Sequence, residues 1–415
     1  MKNTIWISFG ISLLTIVACK TANLANDFLT DNIEYASTQY ERQMEELEKS
    51  DKIRIPRTVK PNGEIQYAPI GWDWTAGFYA GSLWYLYDLT GNEYWQSRAR
   101  KYTEILEKMQ YNTQHHDIGF IIGCSYLNGI RMGREDKEKY KSVVIQTAKS
   151  LSTRFRPAAG VIQSWNTKKG WQSQRGWKCP VIIDNMMNLE ILFEATRLSG
   201  DSTFYNIAIS HANQTLKNHF RNDGSSFHVV DYDPETGEIR TRCTAQGYAD
   251  ESAWARGQAW AIYGYTMCYR YTHDSGYLKM AEKIYEFIFT HPNMPEDLVP
   301  YWDYDAVNIP NEPRDVSAAA ITASALYELS TVTKKKSYKE TADLIMASLA
   351  SPSYQAKLGE NHCFLLMHSV GSIPHGSEID APLNYADYYF LESLKRKRDL
   401  DNKTESITAL AENLK

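Results

Sequence analysis

Along most of the chain, apolar residues recur every three or four positions with polar residues between them. Twelve stretches carry this pattern, near 27–49, 75–89, 93–110, 118–131, 137–154, 185–198, 202–218, 257–273, 277–290, 316–331, 336–350 and 384–395. The period is that of an amphipathic α-helix. Strand-like alternation is scarce, so an all-α fold is expected.

The connectors add a second pattern. Those near 90–92, 132–136, 199–201, 274–276 and 332–335 are short, and those near 50–74, 111–117, 155–184, 219–256, 291–315 and 351–383 are mostly long. Long and short alternate strictly. A weak repeat marks the short ones, clearest at Asp88-Leu89-Thr90-Gly91-Asn92-Glu93-Tyr94 and Leu198-Ser199-Gly200-Asp201-Ser202. Gly after one helix and a polar cap before the next make an αα-hairpin connection. Six such hairpins closing on themselves give an (α/α)6 barrel, a single domain, with every long connector at one end around a cleft. An open solenoid of helix pairs is the competing arrangement.

The 415 residues would allow two or three domains on length alone, but the repeat runs throughout. Net charge is −5 with no basic block in the helical region, which argues against a nucleic-acid partner. Aromatic residues make up 13%, including 28 Tyr and 11 Trp, which suits contact with sugar rings. Met1-Lys2-Asn3 is a short positive start, followed by an apolar run from Thr4 to Val17 that is too short for a good membrane span. The run ends in Ile16-Val17-Ala18-Cys19, which resembles a bacterial lipobox. The expected plan is a signal segment over 1–18, a tether over 19–26 behind a lipidated Cys19, the barrel over 27–395 and a charged, solvated tail over 396–415. That plan implies a bacterial cell-envelope protein anchored to a membrane and facing the periplasm. The other five Cys have no metal spacing and read as buried thiols.

Unusual polar and aromatic residues gather in or beside the long connectors: Trp72 and Trp74, His115-His116-Asp117, Trp165, Asp184, His228, Gln246, Trp254 and Arg256, Arg314-Asp315, and His368. Closure of the barrel would bring them to one mouth. Asp184 follows Val181-Ile182-Ile183 and precedes two Met. Such an apolar setting favours the protonated form of a carboxyl, as a general acid requires. The plainer reading is a helix N-cap, and Asp117 is open to the same alternative. Two carboxylates at one mouth are what sugar hydrolysis commonly uses. The stretch Ser252-Ala253-Trp254-Ala255-Arg256-Gly257-Gln258-Ala259-Trp260 places two indoles around a guanidinium that fits a carboxylate. No metal spacing, phosphate loop, dinucleotide fingerprint or nucleophile elbow is visible, so neither metal nor cofactor is expected.

The Ser252–Trp260 stretch resembles the unsaturated glucuronyl hydrolases, family 88 of the glycoside hydrolases. So do Trp74-Thr75-Ala76-Gly77-Phe78, His116-Asp117-Ile118-Gly119-Phe120, Ile182-Ile183-Asp184, Ser226-Phe227-His228, Gln246-Gly247, Arg314-Asp315-Val316-Ser317-Ala318 and Asp387-Tyr388-Tyr389-Phe390. The resemblance spans roughly 30–395 and implies an (α/α)6 barrel. It also implies an enzyme that hydrates the C4=C5 double bond of a terminal unsaturated uronate on lyase-generated oligosaccharides of glycosaminoglycan type. By the same resemblance Asp184 is the general acid/base and Asp117 the second essential carboxylate. Trp74, His116, His228, Gln246, Trp254, Arg256 and Trp260 match substrate-pocket positions, with His368 a looser match. One departure stands out. Some relatives that accept sulfated sugars carry Ser-x-x-Lys in the last long loop, where this chain has Ser377-Glu378-Ile379-Asp380. The alternatives are an unsaturated rhamnogalacturonyl hydrolase and a non-catalytic sugar-binding lipoprotein of helical repeats.

Overall fold

The computed structural model describes the backbone of residues 10–133 and 137–412, with side chains for 27–133 and 138–403. Its helices are α1 (Gly10–Glu48), α2 (Ala76–Thr90), α3 (Glu93–Glu104), α4 (Ile118–Ile122), α5 (Asn128–Met132), α6 (Lys137–Ser152), α7 (Asn185–Ser199), α8 (Ser202–Asn218), α9 (Ala255–Thr272), α10 (Ser275–Thr290), α11 (Val316–Thr333), α12 (Lys336–Leu349) and α13 (Asn384–Glu412). A π-helical turn over Gly123–Leu127 joins α4 to α5, so the continuous helix expected near 118–131 is one interrupted rod. The signal segment, the tether and Cys19 lie outside the residues whose side chains are described.

Six helices form a closed inner ring. Helices α2, α4, α7, α9, α11 and α13 each pack on the next, and α13 returns to α2. The others pack outside: α1 on α2 and α13, α3 on α2, α6 on α4 and α7, α8 on α7, α10 on α9 and α12 on α11. This is the expected (α/α)6 barrel, and closure excludes the open solenoid.

Sequence explains which helix goes where. Every residue of α11 from Val316 to Ser330 is buried, as is every residue of α9 from Ala255 to Cys268. Helices that are apolar or small on all sides must be surrounded. In contrast, α10 buries one stripe: Tyr277, Met280, Ala281, Ile284 and Ile288. Close approach within the ring needs a missing side chain at Gly77, where a Cβ would sit 2.3 Å from the Ile121 carbonyl oxygen.

The short connectors are built as their residues suggest. Gly91 and Gly200 take left-handed conformations (φ 68° and 78°). The next residue, Asn92 or Asp201, then caps the following helix from its side chain. Consequently all six inner helices start at the long-connector end, and their positive dipole ends surround the mouth.

Nine short strands in the long connectors were not expected. They are β1 (Ile55–Val59), β2 (Ile65–Ala68), β3 (Phe155–Arg156), β4 (Val161–Ile162), β5 (Cys179–Ile182), β6 (Val229–Tyr232), β7 (Ile239–Cys243), β8 (Ser369–Ser372) and β9 (Ser377–Ala381). They pair as β1-β2, β3-β4, β5-β6-β7 and β8-β9, all antiparallel. At two to five residues each they are too short to show alternation, and β5 and β6 are buried on both faces.

The expectation of a solvated tail is corrected for its first residues, 396–398. Helix α13 runs on to Glu412, with Lys397 buried and Arg396 turned into the barrel. Arg396 pairs with Glu328 at 2.8 Å, Lys397 with Asp343 at 3.1 Å and Arg398 with Asp88 at 2.7 Å. The basic run lies against acids of α2, α11 and α12, which makes it interior structure. One turn deeper, Glu392 of α13 accepts hydrogen bonds from Tyr85 of α2, Tyr263 of α9 and Ser324 of α11. That buried carboxylate ties four inner helices together across the barrel axis and fills its floor.

Candidate active site

A cavity of about 380 Å³ opens at the mouth. Trp74, Asp117, Asp184, Gln246 and Arg256 line it, together with Arg57, Trp72, Trp171, Ser372, Glu378 and Tyr385. Asp184 and Asp117 directly precede α7 and α4, yet neither side chain makes a cap hydrogen bond. Asp201, Asp274 and Asp315 at equivalent positions do cap their helices. The N-cap reading therefore fails for both residues, and their carboxyls face the cavity.

The sheet β5-β6-β7 explains the placement of Asp184. Strand β5 delivers the chain to Ile183, whose N–H donates to the His228 carbonyl at 3.0 Å, and Asp184 follows. His228 immediately precedes β6, so pairing of Ile182 with Val229 sets its ring beside the carboxyl. His228 Nε2 stands 3.6 Å from Asp184 Oδ2. Its Nδ1 accepts from the backbone N–H groups of Ala245 (3.0 Å) and Gln246 (3.1 Å). With Nδ1 occupied as an acceptor, the ring proton belongs on Nε2, facing Asp184. Burial, assisted by the Arg256 charge, holds His228 well below the usual imidazole range, so this tautomer is neutral.

The two carboxyls ionise differently. Burial pushes Asp184 up to about 7; the Arg256 charge and the Trp260 side chain oppose this, while the Asp117 charge adds to it. Its Oδ2 is buried with no hydrogen-bond partner. Burial also pushes Asp117 up, but its neighbours outweigh that: His116 Nε2 lies 3.2 Å from Oδ1 and His115 Nδ1 3.5 Å from Oδ2, with Arg154 adding a positive charge. Asp117 is held below the ordinary carboxylate range. Gly119 and Asn188 brace this corner. Asn188 Oδ1 accepts from the Phe120 N–H at 2.9 Å, and a Cβ on Gly119 would displace it. Two carboxyls with pKa values driven apart are the signature of an acid and its partner base.

Some expected pocket residues act from behind the wall. Trp254 and Trp260 are 2% and 0% exposed. Trp254 packs on the His228 ring and under the Arg256 guanidinium, and Trp260 packs on Phe120. Neither offers a face to a sugar. His116 is wholly buried behind Asp117. Arg256 Nη1 donates to Asp315 at 2.9 Å and to the Val370 carbonyl, and Nη2 donates to the Gly371 carbonyl at 2.5 Å. Its charge reaches the cavity already matched by Asp315. His368 does not join the site: it is half exposed, does not line the cavity and pairs with Asp380 at 2.6 Å. It immediately precedes the β8-β9 hairpin, whose Gly371, Ser372, Ser377 and Glu378 do line the cavity. Sequence reasoning missed Arg57, Gln172, His375 and Tyr385. Trp171, edge-on to Trp165 and Trp177, was missed too. A run of Trp at 165, 171 and 177 in one connector was the available signal.

A closed helical barrel with an acid and a base carboxyl in an aromatic-lined mouth belongs to the class of carbohydrate-cleaving hydrolases. Residues 49–396 match the model of Glycosyl Hydrolase Family 88, and the chain belongs to that family. It is 44% identical over 393 residues to the unsaturated glucuronyl hydrolase of Formosa agariphila, covering 94% of this chain and 96% of the relative. The crystal structure of an unsaturated glucuronyl hydrolase specific for heparin superposes with a TM-score of 0.86 at 44% identity, covering 91% of this chain and 98% of the other. A Streptococcus agalactiae unsaturated glucuronyl hydrolase with an Asp-to-Asn substitution, complexed with dGlcA-GalNAc6S, superposes with a TM-score of 0.70. That structure is 27% identical, and the match covers 89% and 90% of the two chains.

Proposed function

We propose that this chain is an unsaturated glucuronyl hydrolase that removes the 4,5-unsaturated uronate from the non-reducing end of glycosaminoglycan-derived oligosaccharides. The observation that carries the chemistry is the Asp184 carboxyl, pushed up to about 7, lining one cavity with an Asp117 that is held ionised. In its protonated form Asp184 donates to C4 of the vinyl ether, forming a C4–H bond and leaving positive charge shared between C5 and the ring oxygen. Asp117 stabilises that charge. The Asp184 carboxylate, faced by the His228 Nε2–H, then takes a proton from a water whose oxygen bonds to C5. The resulting hemiketal opens, and the glycosidic bond breaks as the next sugar leaves. The inner-helix N-termini and the Gln246 amide suit the uronate carboxylate.

The test is Asp184→Asn, which keeps shape and removes the titratable proton. General acid/base help is worth about 10²- to 10⁴-fold. One carboxyl serves both proton transfers, so the loss of kcat belongs at the upper end while disaccharide binding persists. Turnover within about tenfold of wild type would refute the role.

We also propose that Cys19 is the lipidated first residue of the mature protein, tethering it to the cell envelope. The support is Ile16-Val17-Ala18-Cys19 after an apolar run. Cys19→Ala should leave the precursor unprocessed or release the protein from membranes, and normal processing with unchanged attachment would refute the anchor.

A further inference from the structure

Two arginines of the cleft wall come with carboxylates. Arg256 has Asp315, as described above, and Arg57 donates to Asp73 at 2.7 Å and to Glu378 at 2.6 Å. Arg154, just beyond α6, does not. The residue is only 3% exposed, and among the described residues no carboxylate lies within ion-pairing reach of it. Its Nε donates to the Gln163 carbonyl at 2.7 Å, and its Nη1 to the Thr113 carbonyl at 2.7 Å and to Asn166 Oδ1 at 3.0 Å. Nη2 is buried with no partner. A buried cation among neutral groups is strongly disfavoured, so its presence calls for a compensating charge.

Arg154 does not line the cavity, but it fastens the stretches that lead to both carboxyls. Thr113 belongs to the connector that ends in Asp117, and Gln163 and Asn166 to the one that ends in Asp184. Between these anchor points the His116 N–H donates to the Ser164 carbonyl at 3.2 Å, and His115 bridges to Trp165. Ser164 Oγ in turn accepts from the Ile182 N–H at 3.0 Å, just ahead of Asp184. The Asn166 amide adds a bond to Gln114 at 3.0 Å. One guanidinium thus ties together the two loops that carry the acid and its partner.

Asp117 supplies the compensating charge. Burial, followed by the Arg156 charge, draws the Arg154 guanidinium down to about 10, and Asp117 opposes both, which leaves it charged at neutral pH. The neighbouring Cys179 thiol is pushed up to about 12 by burial and is neutral. Seen from Asp117, burial is outweighed by His116, His115 and Arg154. The imidazoles are conditional partners: His116 is held below the usual range by burial, and a histidine is charged only in acid. Asp184, once ionised, works against Asp117. We infer that Arg154 is a positioning residue for the hydrolysis: as a permanent cation behind the cleft, it keeps Asp117 ionised and fixes the loop that carries it. The inference rests on the hydrolase reading above, in which Asp117 must be negative when C4 takes its proton.

A purely mechanical bolt is the competing account, and it would not move a pH profile. The experiment measures kcat/KM against pH for an unsaturated disaccharide in two variants. Arg154→Gln keeps amide donors and loses the charge, whereas Arg154→Lys keeps the charge and loses the fork. The acid limb, set by Asp117, should move up in Arg154→Gln, and each unit of movement costs about tenfold in kcat/KM on the acid side. In Arg154→Lys the limb should stay at its wild-type position even where the plateau falls. A limb that stays put in Arg154→Gln, or moves equally in both variants, overturns the inference. Carboxyl NMR titration of Asp117, its signal assigned by loss in Asp117→Asn, reads the same property without turnover. Asp117 should titrate below the ordinary aspartate range in wild type and higher in Arg154→Gln; coincident titrations overturn the inference. If wild type consumes no unsaturated disaccharide, the hydrolase reading alone has failed and the titration still decides about Arg154. If Arg154→Gln does not fold, wild type and Arg154→Lys decide: a wild-type Asp117 that titrates at or above the ordinary range, or a limb that rises in Arg154→Lys, overturns it.

Discussion

The neutral His228 ring holds its Nε2–H 3.6 Å from Asp184 Oδ2, and neither atom has another partner. The hydrogen bond is too long to be formed at rest. A protonated Asp184 has little need of it. Once the proton has gone to C4, the carboxylate left behind is the better acceptor, and a small closing movement completes the bond. His228 therefore favours the second half of the cycle over the first.

His228→Phe keeps a ring in place and removes the donor. The ionised form of Asp184 loses support, so its pKa should rise above about 7. The alkaline limb of the kcat–pH profile should move up and the plateau should fall about tenfold or more. An unmoved limb would show that His228 only fills space.

The raised pKa of Asp184 also has a stability consequence. Its folded value, about 7, lies above the ordinary aspartate value of about 4, so between those values the folded state binds more proton than the unfolded state. Stability is thereby lost as pH rises from about 4 to 7, and the full cost persists above that. Asp184→Asn removes this cost. The variant should be more stable than wild type above pH ~7, by up to about 4 kcal/mol, with the gain shrinking towards pH ~4. Calorimetry across that range checks the sign.

Arg256 and Asp315 form a buried pair, each 1% exposed at the side chain. Asp315→Asn retains the cap on α11 but leaves the guanidinium without a counter-charge. Breaking such a pair costs about 3–5 kcal/mol. Urea unfolding should show a loss of that order; a loss below about 1 kcal/mol would place the compensation elsewhere.

His368 should matter little. Its pair with Asp380 is half exposed and outside the cavity, and exposed pairs contribute about 0–1 kcal/mol. His368→Ala should leave kcat/KM within about twofold of wild type, judged against the near-total loss expected for Asp184→Asn.

How far the sequence could be read depended on which feature carried the information. Connector length and the Gly91-Asn92 and Gly200-Asp201 turns are local, and they were enough for the helix pairs and the end at which the site lies. Asp184 was legible because three apolar residues precede it and two Met follow one residue later. Trp254 and Trp260 were legible as conspicuous but misleading as to role, since a helix start does not reveal which indole faces the mouth. Arg57 and Tyr385 were hidden for another reason. A bulge in β1 between Pro56 and Thr58 places Arg57, and it leaves no periodic trace in a strand of five residues. His368 was misassigned because a place in the right loop does not say which of its residues reach the cavity.

Glu392 lies across the barrel axis, held by tyrosines from opposite sides of the ring. The mouth therefore leads into a cul-de-sac. A polysaccharide cannot thread through, and only a chain terminus can reach Asp184. Each sugar chain must back out by the way it entered, so one turnover gives one clipped end and then dissociation. The enzyme can trim only termini that a prior cut has already made, one at a time.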